Sequence, residues 1–114
     1  MTLRSRFNNK YKNSSLNVAL IGAGQMGQGI VSQLSKQEAI HLSYIVDRNI
    51  EKAKEAQKRY EQNKENSPII SIEISSINLD DVDIVIEATE SPITGAVVAD
   101  FVLNNGIDLI LLNV

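Results

Sequence analysis

The chain has no cysteine, no tryptophan, one histidine, two prolines and 4% aromatic residues among its 114 positions. Without cysteine there is no disulfide framework, no thiolate nucleophile and no thiolate metal site, so redox chemistry here requires a cofactor; a reducing compartment is compatible with this usage. No serine or lysine nucleophile stands beside a paired base, and no histidine-carboxylate set has metal spacing, so neither a catalytic residue nor a metal is assigned. The scarcity of aromatics places the core on Ile, Val, Leu and Ala, which suits a buried parallel sheet.

No apolar run approaches the roughly 20 residues of a membrane span, and no signal-peptide segment opens the sequence. The expectation is a soluble, cytoplasmic protein that does not engage membrane. Acidic residues are missing from positions 1 to 15, which carry Arg4, Arg6, Lys10 and Lys12. This basic, polar lead-in reads as a short marginal helix through Leu3, Phe7 and Tyr11, then a loop at Asn13-Ser14-Ser15. The rest of the chain holds the remaining seven basic residues against all fourteen acidic ones, a net charge of −7. Such a body argues against nucleic acid as the main ligand.

Residues 16 to 114 are expected to form one domain. The apolar run at residues 16–21 reads as a central strand, buried on both faces. It leads into Gly22-Ala23-Gly24-Gln25-Met26-Gly27, a glycine-rich turn of the kind that brings bare backbone against a pyrophosphate. Gly22 permits the tight turn, Gly24 leaves no side chain where phosphates approach, and Gly27 lets the next helix pack closely. The amides opening that helix lack intrahelical acceptors and, with the helix dipole, favour an anion.

A helix over residues 25–37 carries Met26, Ile30, Val31 and Leu34 as one stripe, with Gly29 inside it pointing to close packing or, as the alternative, to close ligand approach. A second strand over 40–46 ends at Asp47. The following helix, 48–62, has an interleaved charged face that includes Glu55 and Arg59 at i, i+4. Alternation of Ile70, Ile72 and Ile74 with Ser71, Glu73 and Ser75 predicts a half-polar edge strand. A turn through Leu79-Asp80-Asp81 precedes a buried strand over 82–88. Ser91 and Pro92 then open a helix with Ile93, Val97, Val98, Phe101 and Val102 inward, stopped by Asn104-Asn105-Gly106. Residues 107–114 are a fifth apolar strand.

This alternation is a Rossmann-type α/β domain: a doubly wound parallel sheet of five strands, order 3-2-1-4-5, with helices on both faces. Because the sequence stops inside an apolar strand, a longer chain is expected, with the substrate domain beyond residue 114.

Asp47 lies twenty residues after Gly27, where its carboxylate meets the adenosine ribose of a dinucleotide; capping the next helix is its structural alternative. A carboxylate there favours NAD over NADP, while the adjacent Arg48 offers a stacking surface or a phosphate partner. Ala88 and Thr89, at the end of the fourth strand, are expected near the nicotinamide ribose, and Asn113 at the nicotinamide end. Glu87 reads as structural, bonded to neighbouring backbone, the alternative being a buried carboxylate that points into the crevice. His41 sits at the far end of its strand and reads as incidental; Asp80, Asp81 and Asp83 read as a solvated turn.

The stretches Val18 to Gly27, Val46-Asp47-Arg48 and Asp83 to Thr89 resemble the NAD(P)-binding domain of homoserine-dehydrogenase-like oxidoreductases. The branch carrying a C-terminal SAF domain is the closer resemblance, and Leu111-Leu112-Asn113-Val114 resembles it too. True homoserine dehydrogenases have an alanine-asparagine-lysine segment with a catalytic lysine at that strand, so this sequence departs from homoserine chemistry there; some relatives are similar to a reductoisomerase of deoxyxylulose phosphate. The resemblance implies hydride transfer with a small hydroxy or oxo substrate and cofactor contacts at Gly22, Gly24, Gly27 and Asp47. Residues 1 to 114 alone are then expected to bind NAD or NADP without turnover. Two other classes use similar loops: an NAD(H)-sensing regulatory domain, often a homo-oligomer, and an S-adenosylmethionine-binding methyltransferase domain.

Overall fold

The computed structural model describes residues 15–112, so Asn113 and nearly all of the basic lead-in lie outside the described residues. In chain order the elements are β1 (Leu16–Ile21), α1 (Gln25–Leu34), β2 (Ile40–Val46), α2 (Ile50–Glu61), β3 (Ile69–Ser71), β4 (Ile84–Glu87), α3 (Pro92–Asn104) and β5 (Asp108–Leu111), with short 3-10 turns at Ile74–Ser76 and Leu79–Asp81. The five strands form one sheet in the order β3-β2-β1-β4-β5, every neighbouring pair parallel. This is the doubly wound arrangement expected from the alternation of elements, with helices on both faces.

The two layers follow from period two in the strands. Leu16, Val18 and Leu20 of β1 join Val31 and Leu34 of α1 and Ala53, Ala56 and Tyr60 of α2 on one face. Ala19 and Ile21 join Val85 of β4 and Val98 and Val102 of α3 on the other. The register between β1 and β2 shifts between Val18 and Ala19, so Leu42 and Ile45 both reach the α1/α2 layer. Beside this irregularity the Leu42 amide donates to the hydroxyl of the fully buried Tyr60 at 3.0 Å. That bond fastens α2 to the sheet while the ring contributes apolar burial worth about 1.5–3 kcal/mol.

Several local expectations change. Helix α1 stops at Leu34, three residues early, where the nearly buried Ser35 donates its hydroxyl to the Ser32 carbonyl. Helix α2 begins at Ile50 because the Asn49 side chain caps it, accepting from the Lys52 amide at 3.2 Å. The third strand ends at Ser71: its hydroxyl accepts from the Glu73 amide and donates to the Glu73 carbonyl, folding the chain away from the sheet. The fourth strand is confined to Ile84–Glu87 and the fifth to Asp108–Leu111. In α3, Gly95, Val98 and Val102 are buried, whereas Ile93 and Val97 are 80% and 63% exposed and Phe101 is half-buried. The helix is apolar on most sides, so its periodicity selects no face, and contact with Val85 and Ile21 decides the rotation. Gly29 is exposed, and a Cβ built there meets nothing within 4 Å; close packing does not explain it, and nothing in the structure does.

At its other end α3 closes as the Asn104-Asn105-Gly106 signal demands. Gly106 adopts φ +71°, its amide donates to Leu103, and the Ile107 amide donates back to Val102, satisfying two terminal carbonyls.

Candidate functional site

Strands β1, β2 and β4 all deliver their carboxyl ends to the same edge, where the Gly22 amide bonds Val46 and the Ala88 amide bonds Ile21, each at 2.8 Å. Between them lies a crevice of about 490 Å³. The order of the sheet reverses there, β1 being flanked by β2 on one side and β4 on the other, which is where open α/β sheets hold ligands.

The three motif glycines have distinct surroundings. Gly22 has φ +103°, and a Cβ there would stand 2.7 Å from the Ala88 carbonyl group. At Gly27 a Cβ would stand 2.0 Å from the Gly22 carbonyl oxygen. Both distances are far inside van der Waals contact, so these positions admit glycine for physical reasons local to the loop. Gly24 differs: nothing lies within 4 Å of its Cβ position, and it lines the crevice. As N-cap of α1 it offers no side-chain acceptor, and no acidic residue occupies the first turn. The opening amides of α1 are thus left with a partial positive charge facing an open approach.

Of the residues singled out in the sequence, Gly22, Gly24, Asp47, Arg48, Ala88 and Thr89 line the crevice. Ala23 is 1% exposed beneath it, Gly27 lies behind the loop against Gly22, and Met26 packs its side chain on the core. Gln25 is exposed. What Ala23, Gln25, Met26 and Gly27 can present to a ligand is therefore backbone, apart from the Gln25 side chain. Asn113 lies outside the described residues.

Asp47 lines the crevice, where the ribose contact is expected, but it does not cap α2, because the Asn49 side chain holds that place. The Asp47 Oδ2 accepts from the Ala23 amide at 2.7 Å and its Oδ1 from the Asn49 amide at 2.7 Å. The carboxylate thus braces the glycine loop and the start of α2 while facing the crevice, with further lone pairs on each oxygen for a hydroxyl donor.

Glu87 is fully buried and is not among the crevice-lining residues. Its Oε1 accepts from the Thr89 amide at 2.8 Å and from the Thr89 hydroxyl, as a structural role requires. Its Oε2 has no hydrogen-bond partner among the described residues. Three residues on, Glu90 adopts φ 62°, an unfavourable conformation for a residue with a Cβ. The Ala88–Ser91 turn is held in this shape by Glu87 on one side and by Ser91 on the other, whose hydroxyl caps α3 through the Thr94 amide at 3.3 Å.

Sequence reasoning missed Lys52, the Ile72–Ser75 segment, Thr94 and Val97, all of which line the crevice. The signal for Lys52 was available, since the first turn after an acid-ended strand projects toward the ligand edge. The 72–75 segment was hidden by its strand-like alternation, and Val97 by its assignment to the core. His41 lies elsewhere, its ring against the Asn66 amide at the opposite end of β2. Asp83 accepts from the Asn17 amide at 2.8 Å, and Asp81 from the Asn78 side chain at 3.1 Å. Among the described residues no cluster of His, Cys, Asp and Glu has the makings of a metal site, and no helix is long and apolar enough to cross a membrane.

A sequence model described as Shikimate / quinate 5-dehydrogenase matches residues 3–101. Among solved structures, GenD2 from gentamicin A biosynthesis, in complex with NAD, superposes with a TM-score of 0.72 at 22% identity over 86% of this chain and 26% of its own. KijD10, a 3-ketoreductase from Actinomadura kijaniata in complex with TDP-benzene and NADP, gives 0.70 at 18% identity over 86% of this chain and 30% of its own. A myo-inositol dehydrogenase from Corynebacterium glutamicum gives 0.61 at 23% identity over 85% and 27%. At such identities the likeness is one of fold, and this chain spans less than a third of each of those three structures. No curated protein matches the sequence.

Proposed function

The chain belongs to the Shikimate / quinate 5-dehydrogenase family, and on that premise we propose that it is the NAD(P)-binding domain of an oxidoreductase. The observation that carries the proposal is the glycine cradle: two positions that exclude any Cβ flank one, Gly24, whose face is open beneath an uncapped helix N-terminus. A pyrophosphate fits that chemistry, because it needs backbone amides, positive dipole and no intervening side chain.

In this reading Gly22, Ala23, Gly24, Gln25, Met26 and Gly27 surround the pyrophosphate, chiefly through backbone. Asp47 accepts from the adenosine ribose and Arg48 covers the adenine side. Ala88 and Thr89 line the nicotinamide half, with Asn113 assigned to its far end. Asp47 favours NAD; Arg48 and Lys52 at the same mouth supply the countercharge that a 2′-phosphate needs. When bound, the nicotinamide accepts or donates a hydride, and the chain's own residues orient it and exclude water from its buried face.

The finer reading follows the resemblance to homoserine-dehydrogenase-like oxidoreductases. The substrate is a small hydroxy or oxo compound held by a further domain, which also supplies the proton-transfer group, in the cytoplasm. Fluorescence titration with NADH and NADPH, alongside calorimetry with S-adenosylmethionine, tests the proposal. Binding of either reduced dinucleotide supports it, and binding of S-adenosylmethionine alone refutes it.

A second reading is a non-catalytic NAD(H)-sensing domain that self-associates. It is favoured by the exposed apolar residues Ile93 and Leu103 of α3, a surface suited to a second copy. Sedimentation velocity with and without NADH separates the two, because a sensor changes its association state with ligand.

A further inference from the structure

Gln28 lies one residue beyond the glycine motif and does not line the crevice, yet its side chain is committed on all sides. Its Nε2 donates to the Ala23 carbonyl at 3.1 Å and to the Lys52 carbonyl at 3.0 Å. Its Oε1 accepts from Nε of Arg59 at 3.1 Å. Both amide protons and the carbonyl are thereby used, and the assignment of the amide is forced. Turned over, its oxygen would face two carbonyls and its NH2 a guanidinium.

Arg59 is itself seated by Nη1 on the Ser32 hydroxyl at 3.4 Å. The interleaved charges of α2 suggest a solvated face paired along the helix, but Arg59 reaches across to α1 instead. The outcome at Ala23 is a peptide pinned from both directions. Its amide is held by Asp47 and its carbonyl by Gln28. The loop that would receive a pyrophosphate is therefore fixed before any ligand arrives, and preorganisation of this kind removes an ordering cost from binding.

We infer that Gln28 and Arg59 form a positioning relay, outside the crevice, that sets the affinity of the glycine loop for its dinucleotide by holding the Ala23 carbonyl and the first turn of α2 together. The inference rests on the dinucleotide reading for its ligand, but not for its effect on the loop. Neither residue touches the ligand: Arg59 acts through Gln28, and Gln28 acts through Ala23 and through Lys52, whose side chain lines the crevice. The Nε2–carbonyl bonds are neutral, and the Arg59 bond is charge-assisted and polarises the amide toward stronger donation.

The test uses the full chain and three variants, Gln28→Leu, Arg59→Met and Arg59→Lys, each checked by circular dichroism and melting temperature. The lysine ammonium sits one bond beyond the Nε it replaces and retains a donor for Gln28. In NADH or NADPH titration, Gln28→Leu and Arg59→Met are expected to weaken binding about threefold to tenfold, the effect of one or two lost hydrogen bonds. Arg59→Lys is expected to restore most of it, and the Gln28→Leu/Arg59→Met double variant to be no weaker than Gln28→Leu alone.

Amide hydrogen exchange without ligand gives a second readout, in which Ala23 and Gly24 are expected to exchange faster in both loss variants than in the parent. A merely structural surface contact would move the melting temperature and leave exchange in the loop unchanged. Unaltered loop exchange in Gln28→Leu overturns the relay. Failure of the parent chain to bind either reduced dinucleotide, with loop exchange still responding, overturns the dinucleotide reading and leaves the relay standing.

Discussion

Asp47 and Ala23 are joined at 2.7 Å, the carboxylate that ends β2 accepting the amide proton of the glycine loop that follows β1. Two elements separated by a helix are thus locked at the point where a ligand would lie. The other carboxylate oxygen holds the Asn49 amide at the start of α2. Asp47→Ala removes the acceptor from two backbone donors at once, so destabilisation of about 1–3 kcal/mol is expected, read as a lowered melting temperature. Asp47→Asn keeps an acceptor and loses the charge. Its ratio of NADPH to NADH affinity should rise about tenfold, equivalent to ~1.4 kcal/mol, with Arg48 and Lys52 as the phosphate's partners. An unchanged ratio on titration would remove Asp47 from cofactor selection.

Gly22 and Gly27 differ from Gly24 and Gly29 in what surrounds them, although all four fall within eight residues. Alanine at Gly27 would drive a Cβ to 2.0 Å from the Gly22 carbonyl oxygen. Gly22→Ala and Gly27→Ala are each expected to cost ~4 kcal/mol or more, in the range reserved for backbone clashes and special dihedrals. Gly24→Ala should melt near the parent temperature yet bind dinucleotide more weakly, because its methyl group enters open space at the crevice. A fold-breaking Gly24→Ala would contradict the open approach.

Gly29→Ala reverses the sign. The position is exposed within α1 and its Cβ would touch nothing, so only helix propensity changes. Stabilisation of about 0.5–1 kcal/mol is expected, raising the melting temperature by roughly 4–8 °C per kcal/mol for a domain of this size. A loss of stability would mean that Gly29 has a neighbour the isolated domain does not display.

These contrasts also mark what the sequence disclosed. Strand order, the tight turn at Gly22 and the close approach at Gly27 followed from periodicity and spacing, because a buried strand, a glycine turn and an acid-ended second strand constrain one another through one topology. The bounds of β1 and β2 were legible for the same reason. Where local hydrogen bonding competes with pattern, the sequence misled: Ile72 and Ile74 continued an alternation that Ser71 had already ended by bonding Glu73. Ile93 and Val97 sat on a helix apolar on most sides, where only the neighbouring layer decides rotation. Gln28 bonds the Ala23 and Lys52 carbonyls from α1, a tertiary relationship that no spacing encodes.

Glu87 places a buried carboxylate beneath the Ala88–Ser91 turn with one oxygen bonded to Thr89 and the other without a partner among the described residues. Removing the whole side chain and converting it to an amide should therefore differ. Glu87→Ala orphans the Thr89 amide and leaves a cavity, for an expected loss of about 2–4 kcal/mol. Glu87→Gln keeps the Oε1 acceptor for both Thr89 donors and changes only the unpartnered position. Its denaturation midpoint in urea is expected to lie closer to that of the parent than to that of the Ala variant. A Gln variant as damaged as the Ala variant would show that the unpartnered oxygen is satisfied in solution.

The rotation of α3 is open to a direct test through three of its residues. Val102 is fully buried beside Val98, while Ile93, nine positions earlier on the same helix, is 80% exposed. Val102→Ala deletes two buried methyl groups in a close-packed layer and should cost about 2 kcal/mol or more. Ile93→Ser alters a side chain that already faces away from the sheet and should change stability by no more than about 0.5 kcal/mol. If Ile93→Ser instead costs as much as Val102→Ala, the face carrying Ile93 is packed in solution. Repeating the urea titration at several protein concentrations then tells whether a second copy covers it, because stability gained from self-association rises with concentration. Val97 sits at the crevice wall on the exposed side of the same helix. Val97→Ser should leave the melting temperature near that of the parent while lowering dinucleotide affinity, the opposite of what Val102→Ala does.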